Sequence, residues 1–136
     1  MNIESFGYEG EGLSRVYEND RWMVAVKNWK PANDLEGIDC LERHNGTDEL
    51  FVLLAGSCIL LSGTEQPGGG LDIQAVSMKP DRLYKIPRGL WHNTVTRKDT
   101  KLLLVESPDT SMANSEILNL DAQQRQAARA LASPEL

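Results

Sequence analysis

The sequence is short of most residues that would commit it to a class. It has only two cysteines, Cys40 and Cys58, and neither lies in a C-x-x-C pair. No disulfide scaffold is expected; both are read as reduced, largely buried thiols, although spacing alone leaves a bridge between them open. No apolar run approaches the roughly 18 residues of a membrane span. The opening Met1-Asn2-Ile3-Glu4 has no basic stretch followed by an apolar one. No secretory leader is therefore expected, and the chain is read as cytoplasmic with no membrane partner. Positive charge is also scarce: 14 Lys and Arg against 20 Asp and Glu give a net charge of −6. Lys27 and Lys30, and Arg97, Lys98 and Lys101, build no long basic run with interleaved aromatics. Nucleic acid is excluded as an expected partner. Pro67-Gly68-Gly69-Gly70 lacks the Gly-Lys-Ser/Thr ending of a phosphate loop, and no solenoid repeat is visible.

What remains is an ordinary globular balance, 40% hydrophobic and 25% charged over 136 residues. That length suits a single domain spanning residues 1–136, with one continuous core. The pattern along the chain is of short strands broken by turns. Leu13 to Glu18 and Arg21 to Lys27 flank the turn Asn19-Asp20. Trp22, Val24 and Val26 share one face of the second segment, and Met23, Ala25 and Lys27 the other. Trp29 to Leu35, with Pro31, Asn33 and Asp34, reads as a loop. Strands follow at Ile38 to His44, Glu49 to Ala55, Ser57 to Leu61, Leu71 to Met78, Leu83 to Ile86, Trp91 to Thr96 and Lys101 to Glu106. Glu116 to Leu120 is the last. Many short strands at this spacing indicate an all-β sandwich or barrel. Asp121 then caps a helix over about 122–131, with Gln124 at the capping-box position. Its weak apolar face, Ala127, Ala128, Ala130 and Leu131, is expected to pack outside the barrel or at a subunit contact.

The whole chain has two histidines, His44 and His92. They are too far apart to share a helix turn or a strand, so only a fold that joins separate strands can bring them to one site. Glu42 lies two residues before His44, and residues two apart on a strand project from the same face. Glu49 follows the turn-forming Asn45-Gly46-Thr47-Asp48, so a hairpin can return it beside His44. His92 enters its strand just after the turn Pro87-Arg88-Gly89.

Gly37, Glu42, His44, Glu49 and Gly56 resemble the first motif of the cupin family, G-x5-H-x-H-x3-4-E-x6-G. Pro87, Gly89 and His92 resemble its second, G-x5-P-x-G-x2-H-x3-N. The motifs fall at about 37–56 and 81–96, in order and at the usual separation. The resemblance implies a small single-domain cupin: a double-stranded β-helix, or jelly-roll barrel, with a short C-terminal helix. There are four departures. Glu42 replaces the first histidine of H-x-H, and Gly37 stands one residue closer than the pattern asks. Asp81 replaces the glycine that opens the second motif, and Thr96 its closing asparagine.

By resemblance, His44, Glu49 and His92 match three metal ligands. Two imidazoles and a carboxylate suit one divalent transition metal, Zn, Fe, Mn or Ni, with open positions for water and substrate. Glu42 is expected as a fourth oxygen ligand. Its other readings are an acid or base beside the metal, or an ion pair with Arg43 or Arg88. Glu42 and Glu49 are the candidate catalytic carboxylates. Arg88, at the barrel mouth, is a candidate for holding an anionic substrate, against the plainer reading of a solvated loop residue. Tyr84 is a candidate hydrogen-bond donor in the cavity or else a packed core residue. Trp91, adjoining His92, is expected to face outward. The polar run Ser107 to Ser115 is long for a plain connection and is expected to cover the barrel mouth or cross to a partner subunit.

The function expected is that of a metal-dependent enzyme acting on a small polar metabolite. The fold leaves oxygenase, isomerase or epimerase, and decarboxylase chemistry equally open. The alternative is a non-catalytic module binding a sugar or anion. A small-molecule ligand and a homodimer are the expected partners.

Overall fold

The alternation of apolar and polar side chains is realised as ten strands and one helix in the computed structural model, which describes residues 1–136. The strands are β1 (Leu13–Glu18), β2 (Met23–Asn28), β3 (Cys40–His44), β4 (Glu49–Ala55), β5 (Cys58–Glu65), β6 (Leu71–Ser77), β7 (Leu83–Ile86), β8 (Trp91–Thr96), β9 (Lys101–Glu106) and β10 (Ser115–Asn119). Helix α1 spans Ala122–Ala132. The strands form two five-stranded sheets in the orders β1-β2-β9-β4-β7 and β10-β3-β8-β5-β6. Every strand pair is antiparallel. Consecutive strands β3 and β4 lie in different sheets, as do β8 and β9. That sheet-switching makes the sandwich a jelly roll.

One face of each sheet looks inward. Met23, Ala25, Phe51, Leu53, Cys58, Leu60, Leu102 and Leu104 fill that interior together with Met78 and Ile86. A second apolar cluster lies on the outer face of the β10-β3-β8-β5-β6 sheet, where Leu41, Ile59, Leu61, Trp91 and Val95 pack under α1. This sheet is buried on both sides, so every residue of its central strand β8 is buried. Trp91 is on the outer face, as its place beside His92 implies. The Arg43 guanidinium stacks 4.3 Å from its ring centroid, and its indole N–H donates to Glu65 at 2.9 Å.

Asp121 caps α1: its carboxylate accepts from the Gln124 N–H, and the Gln124 side chain accepts from the Asp121 N–H. The apolar face of α1 differs from the expected one. Only Ala128 and Ala132, one turn apart, are buried against the sheet, whereas Ala127, Ala130 and Leu131 face solvent. Small side chains on the contacting face let the helix backbone approach closely, and Arg129 secures it by donating to the Leu35 and Glu36 carbonyls. No helix is long and apolar enough to cross a membrane.

Other boundaries shift in understandable ways. β5 runs four residues past Leu61, because Ser62 to Glu65 complete the ladder with β6. Pro31–Asn33 inside the expected loop closes a 3₁₀ turn. The connection after β9 contains a second such turn, Met112–Asn114, capped by Ser111. Arg15 holds that connection by donating to the carbonyls of Pro108 and Thr110.

Three motif positions have backbone reasons. Gly37 packs so closely on Pro31 that a Cβ there would stand 1.9 Å from its carbonyl oxygen. Gly56 has φ +70° and would place a Cβ 2.6 Å from the Asp99 oxygen. Asp81, standing where the family pattern has glycine, keeps a left-handed φ of +67°, a conformation that Asp tolerates better than most residues.

Candidate metal centre

Four strands from both sheets supply the site. Glu42 and His44 project inward from β3, and His92 sits opposite Glu42 on the neighbouring β8. From the facing sheet, β4 contributes Glu49 and β9 contributes Glu106, which shares the inner face with Leu102 and Leu104. The two motif turns are tied together by backbone contacts. The Gly89 N–H donates to the His44 carbonyl at 2.9 Å, and the Arg88 N–H donates to the Asp48 carboxylate at 2.9 Å. These bonds set the starts of β4 and β8 side by side, and with them Glu49 and His92.

The result is a compact His–Glu cluster. His92 Nε2 lies 2.9 Å from Glu49 Oε1. His44 Nε2 faces three carboxylates: Glu49 Oε2 at 3.7 Å, Glu42 Oε1 at 3.8 Å and Glu106 Oε2 at 3.9 Å. The imidazole rings meet edge to face, with centroids 5.3 Å apart. Each ring is anchored by its other nitrogen, His44 Nδ1 to Ser115 Oγ at 2.8 Å and His92 Nδ1 to the Leu90 carbonyl at 3.0 Å. Such anchoring fixes ring orientation and aims Nε2 into the cluster, the arrangement found behind metal-bound histidines.

The electrostatics follow from burial. Burial by itself would lower the affinity of His92 for a proton, but the hydrogen bond and charge of Glu49 outweigh it and hold the imidazole above its usual 6.5. Burial would raise the Glu49 carboxyl, and the His92 hydrogen bond with the nearby imidazole charge reverses this, leaving it below the ordinary 4.5. Glu106 has no such partner. Burial, then the adjacent Glu49 carboxylate, push it up to about 9. Lys27, on the inner face of β2, is buried beneath the cluster; burial lowers its pKa, while Glu49 and Glu42 pull in the opposite direction.

The structure thus brings Glu42, His44, Glu49 and His92 together. Glu42 makes no pair with arginine: Arg43 points to the other face and binds Glu116 at 2.6 Å, and the Arg88 side chain is exposed. Arg88 and Tyr84 have no hydrogen bond or ion pair with the cluster. The Tyr84 hydroxyl instead accepts from the Lys79 N–H at 2.9 Å, and its ring packs against the interior apolar cluster. The sequence reading names neither Glu106, which belongs to the cluster, nor the buried charge of Lys27 near it. The available signal was alternation: Glu106 is in register with Leu102 and Leu104, and Lys27 with Met23 and Ala25, so each charge shares a face with core residues.

Two candidate donor sets have all their ligand atoms within 4.8 Å of one another, Glu42–His44–His92 and His44–Glu49–Glu106. Imidazole nitrogens with carboxylate oxygens are the donors expected around a divalent transition metal. The unpartnered Oε2 of Glu106 shows that the cluster does not satisfy its own polar atoms.

No protein-family model matches the sequence, and no curated protein matches it. Solved structures do resemble it. A cupin-2 domain protein from Shewanella frigidimarina has a TM-score of 0.51 at 15% identity, over 74% of this chain and 84% of that one. CapF, a capsular polysaccharide assembling protein of Staphylococcus aureus, gives 0.59 at 15% identity over 88% of this chain, which spans only 33% of CapF. Pac13, a nucleoside dehydratase, gives 0.58 at 7% identity over 90% of this chain and 96% of Pac13. At these identities the likeness is one of fold. Together with the two antiparallel sheets and the C-terminal helix, it establishes that this chain has the cupin-type, double-stranded β-helix fold.

Proposed function

We propose that the protein is a metal-dependent cupin enzyme acting on a small polar metabolite, with one divalent transition-metal ion held by His44, Glu49, His92 and Glu42. The observation that carries this reading is the convergence of both Nε2 atoms with buried carboxylates delivered by strands of two different sheets. A bound ion would supply Lewis acidity toward a substrate oxygen or lower the pKa of a bound water. The chain's own residues do the rest. Ser115 and the Leu90 carbonyl orient the imidazoles. Glu42, whose side chain is 34% exposed, is the carboxylate best placed to exchange a proton with an incoming molecule.

A small polar ligand is supported by a structural neighbour: the Streptomyces protein Pac13 has been solved with uridine. A cytoplasmic homodimer completes the proposal. It is supported by two free thiols and by exposed apolar side chains on edge strands, Leu13 and Tyr17 on β1 and Leu83 on β7; sedimentation as a monomer would count against the dimer.

The direct test is the metal content of protein purified without chelator, by elemental mass spectrometry, for the wild type, His44→Ala and Glu49→Gln. Near-stoichiometric metal in the wild type and its loss in both variants supports the reading. Absence of metal even after soaking would replace it with the alternative of a non-catalytic module for a sugar or anion.

A further inference from the structure

Glu106 lies outside both histidine motifs, at the end of β9. Its side chain is 8% exposed, and its Oε2 is buried with no hydrogen-bond partner, 3.9 Å from His44 Nε2. A buried polar group left unpaired is costly, and a buried charge more so. No lysine or arginine of the chain forms an ion pair with it. Arg15, the guanidinium on that side, already serves Glu18 and the Pro108 and Thr110 carbonyls. The orphaned oxygen is aimed into the same space as His44 Nε2 and Glu49 Oε2.

We infer that Glu106 is itself a metal ligand, so that the centre offers two imidazoles and three carboxylates and favours an oxygen-preferring, six-coordinate divalent ion such as Mn²⁺ or Fe²⁺ over tetrahedral Zn²⁺. This rests on the metal-binding reading above. The donor atoms of His44, Glu49 and Glu106 all lie within 4.8 Å of one another, as do those of Glu42, His44 and His92. Ligands about 2.1 Å from a common ion stand at most about 4.2 Å apart, so a small inward movement completes either set. His44 belongs to both, and its one inward nitrogen can bind only one ion, so both sets converge on a single centre. Five protein donors exceed the four of a zinc tetrahedron and leave one octahedral position for water or substrate. Charge agrees. Three carboxylates and the Lys27 ammonium leave two negative charges, which one divalent ion cancels.

The test titrates chelator-stripped full-length protein with Mn²⁺, followed by electron paramagnetic resonance, and with Zn²⁺ by competition. Wild type, Glu106→Gln and Glu106→Asp are compared. Losing an outer partner of a metal site costs about 10–100-fold in affinity, so losing a direct ligand is expected to weaken Mn²⁺ by about 100-fold or more. Zn²⁺, which needs only four donors, should weaken by less than about tenfold. Glu106→Asp, which keeps the charge on a shorter arm, should lose Mn²⁺ affinity in the same sense and covers the case in which the glutamine variant does not fold. Equal losses for both ions, or Mn²⁺ affinity in either variant within about threefold of wild type, would overturn the assignment of Glu106. If the wild type takes up neither ion, the metal-binding reading itself fails, and this inference with it.

Discussion

Replacing Glu106 by glutamine should make the metal-free protein more stable at neutral pH. The carboxyl is held at about 9 in the folded chain against 4.5 when unfolded. Between these values the native state keeps a proton that the unfolded chain has released, so native stability falls as pH rises through the window. Below 4.5 both states are protonated and the penalty vanishes. At pH 7 the gap from the unfolded value is 2.5 units, which at 1.36 kcal/mol per unit is about 3 kcal/mol. The side chain is 8% exposed, so solvent screens little of this. The glutamine amide has its own desolvation cost, and the observable gain should be about 1–3 kcal/mol. Urea unfolding in chelator, followed by fluorescence of Trp22, Trp29 and Trp91, measures the effect at pH 4, 5.5, 7 and 8.5. The gain should be near zero at pH 4 and grow with pH. A loss of stability at pH 7, or a gain independent of pH, would refute the assignment of a buried, protonated carboxyl to this position. Saturating metal should reverse the order, because an ion that binds only the native state stabilises it by mass action.

Three other outcomes follow from the same structure. In metal-free protein the His92 ring should titrate above 6.5 by proton NMR; in Glu49→Gln its pKa should drop, because the largest influence opposing burial is removed while the Leu90 and Glu42 contributions remain. By linkage, the stability contributed by the His92–Glu49 pair is lost on the alkaline side as pH passes the raised His92 value, and on the acid side as it falls through the lowered Glu49 value. Gly56→Ala should cost about 2–4 kcal/mol in urea unfolding, since the left-handed backbone is strained for alanine and the added Cβ meets the Asp99 carbonyl. Asp121→Ala removes the helix cap and should cost about 1 kcal/mol, read as a modest drop in melting temperature, leaving metal content unchanged.

Much of the fold is legible in the chain because its determinants are local. Each strand shows its two-residue alternation, and the turn residues between them need only their neighbours. Asn19 illustrates this: its side chain accepts from the N–H groups of Arg21 and Trp22 and closes the first hairpin without outside help. The α1 cap is equally local, and Asp121 with Gln124 marks its start to the residue. Glu42, His44, Glu49 and His92 could be named because they stand at motif spacings beside turns. Even Asp81 fits this account, since the backbone φ that the pattern reserves for glycine is retained.

Tertiary structure decided what spacing does not encode. A glutamate closing a strand, as Glu106 does, reads as a solvated end, and a lysine near the end of an alternating strand, as Lys27 is, reads as an edge charge. Both are interior because β9 pairs between β2 and β4, a strand order set by the burial of Met23, Phe51, Leu102 and Leu104 across distant segments. The buried face of α1 differs from the expected one for the same reason: which alanines touch the sheet depends on where the outer apolar surface of β3, β5 and β8 lies, not on the helix sequence. Side-chain direction is a local property of the backbone, and the sequence determined it. Whether that direction leads to water or into a shared interior depends on which strands lie alongside, and only the folded arrangement decided that.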